Sequence, residues 1–157
     1  MTDQESTTDE AQTRVGWGAL PACLGLIAVL IAYTLLPWFD RASAKFPEID
    51  TRLSGASRHY NGWAQTYFGW LAWVLVGLVF LLAFAANASR RWTRWLRLLG
   101  AVLALVAIVL TLRSLNLFIN SVPTYSDYLR HARSGFYITL AGFFVMGVGA
   151  AIGRPRR

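Results

Sequence analysis

Val102-Leu103-Ala104-Leu105-Val106-Ala107-Ile108-Val109-Leu110 carries no polar side chain on any face. A helix in a soluble bundle keeps a polar stripe at helical spacing, and a strand in a membrane barrel alternates polar and apolar residues at every second position. This stretch does neither. Extended both ways, it becomes an apolar run over residues 98–118 whose only charge is Arg113. Roughly 20 apolar residues in a helix cross the hydrocarbon core of a bilayer, and only helices or closed barrels satisfy their backbone groups there. Three further runs, over residues 17–38, 67–87 and 135–153, have no charge at all. The expectation is all-α: an integral membrane protein built as a four-helix transmembrane bundle.

Composition agrees. The chain has 157 residues, 55% of them hydrophobic, with a mean hydropathy of +0.42. A soluble domain of this size cannot bury so much apolar surface around one core. Residues 1–14 are polar, hold Asp3, Glu5, Asp9 and Glu10 with Arg14 as the only base, and predict a disordered tail. A cleaved leader would begin basic and then turn apolar. In Leu20-Pro21-Ala22-Cys23 the apolar stretch follows the cysteine rather than preceding it, so a lipoprotein signal is excluded. Cys23 is the only cysteine, which leaves no intrachain disulfide and no zinc or redox pair.

The arginines set the orientation. Arg90, Arg91, Arg94 and Arg97 crowd the short link between the second and third runs, and Arg154, Arg156 and Arg157 end the chain in a basic tail over residues 154–157. Dense basic charge beside span ends marks the cytoplasmic side. In the opposing loops Arg41, Lys45, Arg52, Arg58, Arg130 and Arg133 are spread out and interleaved with Asp40, Glu48, Asp50 and Asp127. The expectation is a multi-pass protein of the cytoplasmic membrane with both termini in the cytoplasm. A formal charge of +7 suits contact between the link arginines and anionic lipid headgroups. Without a soluble basic domain it does not point to nucleic acid. Arginine-rich, lysine-poor usage, with Lys45 the only lysine, points to a GC-rich bacterial source.

Helices in lipid approach closely through small residues. The first run offers Gly18, Ala22, Gly25 and Ala32; the third Gly100, Ala104, Ala107 and Thr111; the fourth Gly135, Gly142, Gly149 and Gly153. These stripes read as seams within one bundle, with a homodimer seam as the alternative. The second run is bulkier, with Gly69 and Gly77 as its small points. Tryptophans cluster at run ends, Trp38, Trp63, Trp70, Trp73, Trp92 and Trp95, where an indole anchors at headgroup level.

Arg113 is the charge that requires an explanation. It stands five residues before the end of its run, opposite the small-residue stripe and on the side of Asn116 and Asn120. A long side chain so placed can snorkel to the interface. The alternative is a contact with another membrane subunit or an anionic headgroup. His59 and His131 lie one in each opposing loop and lack any metal-ligand spacing. No phosphate loop, nucleophile elbow, Cys-x-x-Cys or intramembrane haem pair occurs, so no cofactor is expected, and no carboxylate inside a run suggests a proton path.

Leu36-Pro37-Trp38 at the end of the first run, Asn61-Gly62-Trp63 and Gly69-Trp70 leading into the second, and the arginine-rich link together resemble a pattern in small, uncharacterised four-helix membrane proteins of actinobacteria. The resemblance implies topology and lineage, not activity. The leading expectation is a non-enzymatic accessory or scaffold subunit of a larger envelope or respiratory assembly, with other membrane subunits as partners. A lipid-handling protein or transporter acting as a homo-oligomer comes second. A membrane-embedded enzyme, with Asp127 and His131 as its acid–base pair, comes third.

Overall fold

The computed structural model describes residues 16–38, 66–88, 93–118 and 132–153, with no side chain given at Phe68, Thr93 or residues 114–118. The described residues are helical, without strands. Helix α1 is Ala19–Thr34. A π-helical turn, Tyr67–Leu71, runs without a break into α2, Ala72–Ala88. Helix α3 is Thr93–Phe118 and α4 is Ser134–Ile152.

Local chemistry sets several of these limits. Pro21 sits in the first turn of α1, where a missing N–H costs little. Pro37 disfavours helical geometry at Leu36, and α1 ends with the Leu35 N–H on the Ile31 carbonyl at 2.9 Å. Helix α4 stops at Gly153, whose φ of 52° lies in the left-handed region open to glycine.

Successive helices run in opposite directions. The start of α1 meets the end of α4, since the ideal Cβ of Gly149 would lie 2.6 Å from the Gly18 carbonyl oxygen. Asn87, at the end of α2, joins this group and accepts the Gly16 N–H through its own carbonyl at 3.3 Å. At the opposite end, the Arg133 and Gly135 N–H groups bond to the Trp38 and Pro37 carbonyls at 2.9 and 3.0 Å. Helix α4 packs on all three others, most extensively on α1.

The packed molecule turns large apolar side chains outward and small ones inward. Leu105 and Phe144 are 61% and 63% exposed, while small residues such as Ala22, Ala83, Ala107 and Ala150 are buried. Three stretches, Gly69–Ala88, Arg94–Arg113 and Ser134–Ile152, are long and apolar enough to cross a membrane. Helix α1 is shorter, at 16 residues.

Three expectations need correction. The run over residues 17–38 yields a helix of only 16 residues, because Pro37 turns the chain before Trp38. Helix α3 begins at Thr93, so Arg94 and Arg97 belong to its first turns rather than to the link. Gly69 and Gly77 are not packing points among the described residues, where a Cβ on either would meet nothing within 4 Å.

Candidate functional site

Three features could carry function: the α1–α4 seam with its end at Asn87, a buried cluster of hydroxyls at the other end, and the outward face of α3.

In the seam the backbones themselves are in contact. A Cβ on Gly25 would lie 2.6 Å from the Gly142 carbonyl oxygen, and one on Gly142 would lie 2.5 Å from Val29 Cγ2 and 2.9 Å from the Gly25 carbonyl oxygen. A Cβ on Gly18 would strike the Gly149 carbonyl oxygen, and one on Gly135 would come within 2.6 Å of the Trp38 ring. Ala22 lies in the same line, fully buried. Gly100, Ala104 and Ala107 of α3 face the other way around the bundle. A Cβ on Gly100 would lie 2.9 Å from Ala150 Cβ, and one on Gly147 would lie 2.9 Å from Ala104 Cβ. Gly153 does not extend the seam. It caps α4, and the Arg97 guanidinium packs against it so closely that no side chain could replace its hydrogen. This places a cation beside the carbonyl end of α4, where the helix dipole favours it.

Asn87 closes the seam. It is fully buried, and its amide nitrogen donates to the Ala83 and Gly149 carbonyls at 2.7 and 3.1 Å. Its side-chain oxygen has no hydrogen-bond partner among the described residues and faces Gly18. The reverse amide orientation would set that oxygen against two carbonyls, so the bonds fix which way it points.

At the opposite end the Tyr67 and Thr111 hydroxyls are 2.5 Å apart. Thr111 donates its proton to the Ala107 carbonyl at 2.7 Å, so the Tyr67 O–H donates to Thr111. Tyr33 contributes a third hydroxyl, which donates to the Ala72 carbonyl at 3.4 Å. Around it, Tyr33 meets Trp73 edge-on at 5.2 Å and Trp38 at 5.6 Å, and Trp38 meets Phe136 edge-on at 6.2 Å.

Trp38 corrects another expectation. It is no headgroup anchor but is 0% exposed, against 85% for Trp17, 56% for Trp70 and 65% for Trp95. Its indole N–H donates to the Ala32 carbonyl at 2.8 Å. That carbonyl falls in the last turn of α1, where acceptors lack helical partners.

Helix α3 presents Leu98, Leu99, Val102, Leu105, Val106 and Val109 outward. Arg94 and Arg113 lie exposed at the two ends of this face. Asn116 falls within α3, in the part without described side chains. Asn120, Arg90, Arg91, Asp127, His59, His131, both tails and the loops between the runs lie outside the described residues. The described residues hold no group of His, Cys, Asp or Glu able to bind a metal ion.

No protein-family model matches the chain, and no curated protein or solved structure matches it.

The sequence does not single out Asn87, the inward turn of Trp38 or the hydroxyls of Tyr33 and Tyr67, whereas Thr111 lies on the small-residue stripe expected to pack. A polar residue ending an otherwise apolar run was the available signal for Asn87. Nothing in the helical period would have turned Tyr67 inward.

Proposed function

We propose that the chain is a four-helix protein of the bacterial cytoplasmic membrane, with both termini in the cytoplasm. In this reading it is a non-enzymatic accessory or scaffold subunit of a larger membrane assembly. The observation that carries the reading is the division of α3 into two faces. One face, with Gly100, Ala104, Ala107 and Thr111, is spent on the bundle. The other is a continuous apolar surface with arginine at either end. Arg94–Arg113 covers 20 residues, about 30 Å of helix and so about the hydrocarbon thickness. A helix so bounded sits at a fixed depth and leaves its outward face to lipid or to a neighbouring subunit. Arg90, Arg91 and Arg94 then lie at the inner leaflet, beside anionic headgroups, and Arg113, Asn116 and Asn120 mark the outer edge of the docking face.

The homo-oligomer alternative drew on the small-residue stripes. Those of α1 and α4 are occupied by each other, which removes that cue. The enzyme reading rests on Asp127 and His131 alone.

The test is affinity purification from native membranes in mild detergent, using the wild type and Arg113→Leu. The scaffold reading expects foreign membrane proteins to co-purify with the wild type and to be lost from the variant while the variant remains folded. Recovery of this chain alone at monomer mass rejects it. A ladder of homo-oligomers returns the second reading.

A further inference from the structure

We propose that the start of α2 is a register switch, in which a one-residue slip exchanges Tyr67 for Phe68 at a single core position.

The argument begins with spacing. Tyr67 and Ala72 are both fully buried although five residues apart. In a regular helix, at about 100° per residue, position 67 would point about 140° away from Ala72, and position 68 would fall within about 40° of it. The π turn, closed by the Ala72 N–H on the Tyr67 carbonyl, is what brings Tyr67 inward. Such turns are rare and hold one residue more than the α-helix needs. Releasing that residue restores the α period and brings Phe68 to the site that Tyr67 vacates.

Chemistry makes the two registers comparable. Tyrosine and phenylalanine share a ring and differ by one hydroxyl, so the slip changes the packed volume little. The hydroxyl's neighbours are not orphaned by its departure. Thr111 keeps the Ala107 carbonyl at 2.7 Å, and Tyr33 keeps the Ala72 carbonyl at 3.4 Å. What the slip gives up, among the described residues, is the bond from Tyr67 to Thr111. What it regains is regular helix geometry across the turn. Among the described residues nothing lies within 4 Å of where a Gly69 Cβ would be, and Trp70 faces outward. The Tyr67–Thr111 bond is therefore a latch. A pull or twist on the chain ahead of Thr66 is converted into loss of one hydroxyl from the core between α1, α2 and α3. The switch needs no particular partner and stands whether or not the scaffold reading does.

The experiment uses the full chain in detergent, with Cys23→Ser as background and a single cysteine introduced by Thr66→Cys or Gly69→Cys. In the π register position 69 is open and position 66 half-buried. In the α register position 69 turns to about 60° from Ala72 and position 66 to about 120°. Maleimide labelling in the wild type should be faster at 69 than at 66. The double exchange Tyr67→Phe with Phe68→Tyr moves the latch to the α register and should reverse that order. Tyr67→Phe alone keeps the ring and should move the ratio of the two rates toward reversal by about tenfold, the worth of one net hydrogen bond. An unchanged ratio in Tyr67→Phe means that helix packing alone fixes the register, and the proposal fails. That single variant decides the matter even if the double exchange does not fold.

Discussion

Trp38 carries more than its apolar area suggests. Its indole N–H supplies the donor that the Ala32 carbonyl lacks at the end of α1, and its ring fills the space beside Gly135 and Phe136. Trp38→Phe keeps much of the ring, but it removes the donor and leaves a buried carbonyl unpaired. That penalty is about 1–3 kcal/mol. The same substitution at Trp70 or Trp95, both facing outward, should change stability by no more than about 0.5 kcal/mol. Thermal unfolding in one detergent, read for the three variants side by side, tests the contrast. Equal shifts would mean that the buried bond at Trp38 contributes nothing. The sequence could not make this distinction. Pro37-Trp38 at the end of an apolar run reads as an interfacial anchor, and only the backbone pairing of Trp38 with Arg133 shows the chain folding back over the end of the bundle.

Helix contacts, by contrast, were largely legible. Glycine and alanine at steps of three and four marked the packed faces of α1, α3 and α4, because close backbone approach excludes larger side chains whatever the sequence between them. The reading failed on α2. There a glycine does not mean a contact, and the buried positions are Ala72, Leu75, Val76, Val79, Ala83, Ala86 and Asn87. Two glycines therefore respond oppositely to the same change. Gly142→Ala puts a methyl group into Val29 and the Gly25 carbonyl and must push α1 from α4, a cost of about 1–3 kcal/mol for overpacking. Gly77→Ala meets none of the described residues and gains about 0.5–1 kcal/mol from restricting a flexible residue within a helix. Chemical or thermal unfolding should move in opposite directions for the two. A loss at Gly77 would indicate that its surface is covered in the protein as purified.

For the whole molecule, alternating helix directions put the start of α1, the end of α2, the start of α3 and the end of α4 at one end. The proposed orientation sets that end in the cytoplasm. Its basis is arginine density, and of the two arginines of the cluster that are described, Arg94 lies exposed while Arg97 is packed against α4. Arg97 packs on Gly153, so its removal would disturb the fold rather than the topology. Arg90, Arg91 and Arg94 are the proper test. Reporter fusions should read cytoplasmic after Arg157 and external after Ser57. Replacing Arg90, Arg91 and Arg94 by alanine while retaining Arg97 should produce a mixed population, because basic residues beside a span end resist translocation by a few kcal/mol each at most. Arg97→Ala alone should leave the reporters unchanged and instead lower thermal stability, through loss of the cation at the carbonyl end of α4. If Arg97→Ala disturbs topology as much as the triple replacement does, the two duties are not separable. An external signal after Arg157 in the unaltered protein would invert the bundle, placing Asn87 and the link arginines outside and the hydroxyl cluster at the cytoplasmic face.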